Sequence, residues 1–267
     1  MKQLAIVGPT ASGKSAVALE LARRTPGTEL ASVDAMQVYR SMDIGTAKPT
    51  VAERAEVRHH LIDLVDPGDD FSLAQFQAAA RQVVSEAGER SVPKLVWVGG
   101  TGLYVSAVLD GLTLPGSWPE IRARLEHEAV AVGPQILHER LAALDPVAAS
   151  RAEPTNTRRI VRALEVIEGS GRPFSSFGPG LTSYPVIATP IVGLRWDRPA
   201  LTARIEARVH TMMAAGLLDE VRSLARRPIS VTARQALGYK ELLDHLDGTV
   251  GLDEAVATII TRTRQFA

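Results

Sequence analysis

The chain contains no cysteine, which excludes disulfides, thiolate zinc sites and cysteine nucleophiles and fits a reducing compartment. Aromatic residues are sparse, 4% of 267. Lysine is scarce too, five against 25 arginines, a bias that planar phosphate recognition or merely a GC-rich genome produces. No apolar run approaches the ~20 residues of a membrane span. The start passes directly into the apolar run Leu4-Ala5-Ile6-Val7 with no signal-peptide pattern. A cytoplasmic, membrane-free chain is expected, with no internal repeat. Net charge is also lacking, at +0, yet residues 51–95 carry five basic and eight acidic groups and residues 195–240 nine and four. A neutral total therefore leaves room for a nucleic-acid partner. With 45% apolar and 22% charged residues, the length suits one large or two modest globular domains.

What is present begins with Gly8-Pro9-Thr10-Ala11-Ser12-Gly13-Lys14-Ser15, set between an apolar run and an amphipathic segment. This is G-x-x-x-x-G-K-S in a strand–loop–helix setting, where backbone N–H groups and a helix N-terminus surround a phosphate chain. The glycines let the backbone close round the anion. Lys14 supplies a point charge, and Ser15 offers a hydroxyl to Mg²⁺, the expected cofactor. The chain is expected to handle a di- or triphosphate.

Glu29–Val33 reads as a strand ending at Asp34, Ser72 caps a helix running to about Glu89, and Lys94–Val98 reads as a buried strand entering Gly99-Gly100-Thr101-Gly102. Strands alternating with helices, with glycine loops at strand ends, predict a parallel doubly wound α/β sheet, P-loop NTPase-like, with its site at the carboxyl edge. Asp34 and Thr101 then flank the P-loop. From about Leu112 the pattern turns helical (119–132, 134–143, 155–168), followed by a Gly/Pro/Ser-rich stretch, residues 169–185, a strand at Ile191–Leu194 and further helices from Pro199. We expect a core of residues 1–112 and 186–267 with a helical insertion domain at 113–185. His59-His60 has no metal-ligand partner at suitable spacing, and Trp97 is expected in the core.

Most P-loop hydrolases place an acid after an apolar strand to organise Mg²⁺ and water. Here the strand at 94–98 ends in glycines, and the strand-end acid beside the loop is Asp34. An acid there suits a base that deprotonates an acceptor, the chemistry of a transferase.

Several runs carry a family resemblance: Gly8–Ser15, Ser32-Val33-Asp34-Ala35-Met36-Gln37-Val38-Tyr39-Arg40, Met42-Asp43-Ile44-Gly45-Thr46-Ala47-Lys48-Pro49, His59-His60-Leu61-Ile62-Asp63, Gly99–Tyr104 and Gly238-Tyr239-Lys240-Glu241. In order and spacing, over essentially the whole chain, they resemble the tRNA dimethylallyltransferase family of bacterial type. The resemblance implies transfer of a dimethylallyl group from dimethylallyl diphosphate to N6 of the adenosine 3′ to the anticodon, in tRNAs reading codons that begin with U. It implies that Asp34 is the general base, Thr101 its partner, and Arg208, second arginine of Arg-Ile-x-x-Arg beginning at Arg204, a contact to the diphosphate held by Gly8–Ser15. It also implies tRNA contacts at Asp34, Ala35, Met36, Gln37, Thr101, Arg122, Arg158, Arg159, Ile160, Val161, Arg162, Gln235, Gly238 and Lys240. The partners expected are the tRNA anticodon stem-loop and dimethylallyl diphosphate, with the enzyme a monomer.

Two departures stand out. The family usually has Asp-Ser where this chain has Asp34-Ala35, which removes one hydroxyl. The chain stops at Ala267, where the family continues through basic, tryptophan-containing sequence. Three other readings remain open: an adenylate isopentenyltransferase acting on free AMP, ADP or ATP, a small-molecule kinase, and a nucleotide-gated RNA-binding protein.

Overall fold

The computed structural model describes residues 1–178 and 188–267. The chain forms two compact units, one of residues 1–110 and 186–267, the other of residues 111–185. The first division falls two residues before the expected one. The expected return at 185/186 lies outside the described residues.

In the first unit β1 (Lys2–Val7), β2 (Thr28–Val33), β3 (His59–His60), β4 (Lys94–Gly99) and β5 (Ile191–Gly193) form one sheet. Its order is β3-β2-β4-β1-β5, and every pairing is parallel. Alternation along the strands splits the side chains between two layers. Ala5, Ala31, Leu95 and Trp97 join one buried cluster. Ile6, Leu30 and Val96 join another, with Ala18, Leu19 and Ala22 of helix α1 (Lys14–Arg24). A sheet covered on both faces reads as continuous apolar runs, as β1 and β4 do. Trp97 is core as expected, its indole N–H donating to Gln3 Oε1 at 2.8 Å.

The strands end on one rung. Val7 is level with Gly99 of β4 and Gly193 of β5, and Gly99 with Val33 of β2. Gly8, Asp34 and Gly100 therefore leave the sheet together. A Cβ at Gly99 would run into the Val33 carbonyl, so this rung closes only around glycine.

Between β2 and β4 lie α2 (Val51–Glu56) and α3 (Leu73–Glu89), the latter with the expected Ser72 cap completed by Gln75. After the expected glycine turn at Gly100-Thr101 the chain enters α4 (Gly102–Leu109), an element beyond those expected from the sequence. The apolar run behind it, Leu103 to Leu109, sustains the helix once Thr101 turns the chain.

The second unit contains α5 (Pro119–Val132), α6 (Pro134–Leu144), α7 (Pro146–Ser150) and α8 (Thr157–Ser170). Three of them open on proline, where the missing N–H is harmless. Leu125, Leu137, Leu141, Ile160 and Leu164 form their core. α8 starts two residues later than expected because Asn156, not an earlier residue, accepts from the Arg159 N–H. The last helices belong to the first unit: α9 (Arg198–Ala214), α10 (Leu217–Leu224), α11 (Val231–Arg234), α12 (Tyr239–Leu246) and α13 (Leu252–Phe266).

Candidate active site

The P-loop leaves β1 at Gly8. Ala11 (φ 61°) and Gly13 (φ 91°) take left-handed backbone, and the Ser12 N–H closes a turn on the Pro9 carbonyl at 3.3 Å. Lys14 and Ser15 open α1, whose first-turn N–H groups have no intrahelical acceptor. Lys14 Nζ donates to the Pro9 carbonyl at 3.3 Å, and Ser15 is exposed. Ser12 Oγ is buried with no hydrogen-bond partner among the described residues. A buried hydroxyl left so is unfavourable unless a ligand completes it.

One rung across, Asp34 follows β2. Its Oδ1 accepts from the Met36 N–H at 2.8 Å, which turns the chain and fixes the carboxylate at the sheet edge. Thr101 follows β4 as the residue before α4, and its side chain makes no capping hydrogen bond. Gly100 lets these edges approach: a Cβ there would lie 2.5 Å from the Gly8 carbonyl and 3.5 Å from Lys14 Nζ.

α9 brings Arg208 into the same space. Burial pushes the Lys14 ammonium below its ordinary pKa; the Asp34 charge opposes that shift and Arg208 adds to it. Burial also lowers Arg208, against the pull of Asp34. One carboxylate thus stands against two partly desolvated cations. Tyr104 is pushed up to about 12 by burial, with Tyr39 and Asp34 adding, so its hydroxyl keeps its proton. Lys14, Asp34 and Arg208 line a cavity of about 1260 Å³ with Pro9, Thr10, Ser15, Ala35, Met36, Gln37, Thr101, Gln235 and Gly238. A pocket for one small ligand is typically ~300–1,000 Å³, so this one has room for two reactants.

Two motifs far apart in sequence meet behind the cavity wall, at Gly45. Glu220 of α10 accepts from the N–H groups of Asp43 and Ile44 at 2.9 Å and of Gly45 at 3.3 Å, and from the Tyr239 hydroxyl at 2.6 Å. Any Cβ at Gly45 would strike the Tyr239 ring. Gln37 is tied into the same wall: its amide donates to the Thr46 and Ala47 carbonyls and its Oε1 accepts from Ser32. His59 and His60 bond to the Val57 carbonyl and to Glu29, and His59 also lines the cavity.

In the second unit the arginine candidates divide. Glu165, fully buried, receives Arg122 at 2.8 Å, Arg162 at 2.9 Å and the Trp118 N–H at 2.8 Å. Arg162 also donates to the Pro115 and Gly116 carbonyls. Arg122 and Arg162 are thus committed to holding the unit together. Ile160 and Val161 are 0% and 3% exposed, so their side chains fill the core and are corrected from the RNA-contacting set. Arg158 and Arg159 are exposed and have no ion-pair partner among the described residues. Lys240, in α12, does not line the cavity.

Sequence reasoning missed Glu220, an acid among other helix-surface charges, and Trp196, which donates its indole N–H to the Ser12 carbonyl at 2.9 Å. The only sequence signal for Trp196 was an aromatic just before the Asp197 cap of α9.

A phosphate-cradling loop facing a strand-end carboxylate across a two-reactant cavity defines a P-loop α/β enzyme of group-transfer type. A family model described as IPP transferase matches residues 37–267, and one described as isopentenyl transferase matches residues 1–66. A tRNA dimethylallyltransferase of Roseiflexus sp. (strain RS-1) is 48% identical over 99% of this chain and 87% of its own. That of Kineococcus radiotolerans is 50% identical over 99% and 84%. The solved full-length tRNA isopentenylpyrophosphate transferase of Bacillus halodurans superposes with a TM-score of 0.68 at 42% identity, over 99% of this chain and 84% of that one. A eukaryotic dimethylallyltransferase solved acting on tRNA gives 0.81 at 25% identity, over 100% and 68%. The chain belongs to the IPP transferase family, the tRNA dimethylallyltransferases.

Proposed function

We propose that this enzyme transfers the dimethylallyl group of dimethylallyl diphosphate to N6 of the adenosine 3′-adjacent to the anticodon in tRNAs reading codons that begin with U. The observation that carries this reading is the single rung on which the P-loop, Asp34 and Gly100 leave the sheet. Adenine N6 is a weak nucleophile because its lone pair is delocalised into the ring. As N6 attacks C1 of the dimethylallyl group, the C1–O bond breaks and the electron pair leaves with diphosphate. The N6 proton passes to the Asp34 carboxylate. Lys14, Arg208 and the unpaired backbone N–H groups at the end of the loop and the start of α1 stabilise the departing charge. Thr101 Oγ1 orients the amine beside Asp34. A stacked loop base reaches such a concave site only when flipped out. Exposed Arg158 and Arg159 of the second unit suit tRNA phosphates.

Mg²⁺ fits this reading as an ion carried on the diphosphate. No cluster of three His, Asp or Glu exists among the described residues, and Mg²⁺ is commonly held by few protein groups and substrate phosphates. The Ser15 hydroxyl would hold it, where it would neutralise phosphate charge. Among the described residues no helix is long and apolar enough to cross a membrane, and we place the enzyme in the cytoplasm as a monomer. The helical unit and the family favour tRNA over free adenylate. Incubating the enzyme with dimethylallyl diphosphate, Mg²⁺ and either undermodified tRNA or AMP, then analysing nucleosides by mass spectrometry, tests this. Prenylated adenosine from tRNA alone is the expected result, and product from AMP alone overturns it.

A further inference from the structure

We infer that Trp196 and Arg204 form a clasp that holds the P-loop in its anion-receiving shape, and are positioning residues for the diphosphate. The inference rests on the proposed role of that loop.

The loop is fastened at two successive carbonyls. Arg204 Nε donates to the Ala11 carbonyl at 2.8 Å, and Trp196 Nε1 to the Ser12 carbonyl at 2.9 Å. The two side chains also hold each other, the guanidinium carbon lying 4.3 Å from the indole ring centroid, in cation–π range. Ala11 is seated besides by its side chain, which clusters with Leu201 and Ile205 of α9.

A planar trans peptide directs its N–H opposite to its C=O. With the Ser12 carbonyl fastened to Trp196, the Gly13 N–H points away from Trp196. With the Ala11 carbonyl fastened to Arg204, the Ser12 N–H is turned back to close the Pro9 turn at 3.3 Å. The clasp therefore sets the orientation of the Gly13 N–H, a donor that a freely rotating loop would have to order on binding. It also sustains the left-handed backbone at Ala11 (φ 61°), which a residue with a Cβ adopts rarely. Arg204 has no ion-pair partner among the described residues, so its charge stands undiminished behind the loop.

The test titrates the full-length enzyme with inorganic pyrophosphate by calorimetry, comparing wild type with Trp196→Phe, Arg204→Ala, Arg204→Lys and, as control, Lys14→Ala. Phenylalanine keeps a ring beneath the guanidinium and removes only the N–H. Trp196→Phe should weaken pyrophosphate about fivefold to tenfold, the usual effect of one hydrogen bond. Arg204→Ala should weaken it more, and Arg204→Lys should fall between. In steady state kcat/KM for dimethylallyl diphosphate should fall in step, with kcat lowered as well because the same donors hold the departing charge, while tRNA affinity stays unchanged. If Trp196→Phe binds pyrophosphate like wild type while Arg204→Ala does not, Arg204 is a direct ligand and the clasp is overturned. Pyrophosphate affinity unchanged in all three clasp variants overturns it as well. If wild type binds no pyrophosphate, or Lys14→Ala binds as tightly as wild type, the loop's diphosphate role itself fails and the clasp with it.

Discussion

Asp34 is the residue from which most is asked. Its geometry is set by one backbone hydrogen bond, so Asp34→Asn keeps the shape and removes the proton acceptor. We expect kcat to fall by ~10²–10⁴, the usual reach of a general base, with tRNA binding within a few-fold by filter retention; near-normal turnover would take Asp34 out of the mechanism. A second residue-scale prediction concerns Lys48, whose ammonium is fully buried and donates to Asp43 at 2.8 Å, Asp63 at 2.6 Å and the Tyr39 carbonyl at 2.6 Å. Burial would raise the Asp63 carboxyl, but Lys48 and then Arg54 outweigh it and hold it below its ordinary 3.8. A depressed carboxylate contributes stability in full above its unfolded pKa, and that contribution is lost as pH falls through the folded value. Asp63→Asn should therefore destabilise by about 1–2 kcal/mol at pH 7, because Lys48 and Arg54 each lose a charged hydrogen-bond partner while Lys48 keeps Asp43 and the Tyr39 carbonyl. The gap from wild type should narrow below about pH 4, measured by urea unfolding. The acid, the loop lysine and the strand-end threonine were legible in the sequence because each sits at a fixed offset from an apolar strand. Lys48 and Glu220 were not, since their partners come together only through tertiary folding.

At the scale of elements, glycines at close approaches decide whether parts fit. Gly45 lies under the Tyr239 ring, with its ring carbon Cζ 2.7 Å from where a Cβ would stand. Gly45→Ala should push Tyr239 off Glu220 and cost about 1–3 kcal/mol by overpacking. Thermal unfolding and a raised KM for tRNA would report the disturbed wall; an unchanged Tm would mean that the wall yields freely. The long periodic helices and buried strands were readable from pattern, α3 to its capping residue. The two-residue β3 and six-residue α2 were not, being too short to express a period. α4 was hidden by the glycines at its start, which announce a loop while the apolar run behind them carries the helix.

For the whole molecule, the helical unit is where the proposed tRNA contacts at Arg158 and Arg159 lie. Since Arg122 and Arg162 are occupied by Glu165, the arginines free to meet phosphate on α8 are Arg158 and Arg159. Changing both to Ala should weaken tRNA binding, lower the log–log salt slope by about 0.7–0.9 for each phosphate left unneutralised and leave pyrophosphate affinity alone. Equal binding at every salt concentration would show that this face is merely solvated. By contrast, Glu165→Gln should unfold the helical unit at lower temperature, because it leaves two arginines without their buried acid. The existence of this unit was legible from the switch to helical period near Leu112. Which of its arginines face outward was not, because a helix face is assigned only once its buried acid is seen.

The clasp has a consequence in time as well as in space. Trp196 follows Ser12 by 184 residues, and Arg204 follows Ala11 by 193. At ~5–20 residues per second, a ribosome delivers the loop roughly 10–40 s before the parts that fasten it. Through most of that interval β1 also lacks its β5 neighbour. A nascent chain arrested short of Trp196 would thus display the complete P-loop sequence with a weakened hold on diphosphate, which tightens only when the residues from Trp196 to Arg204 emerge.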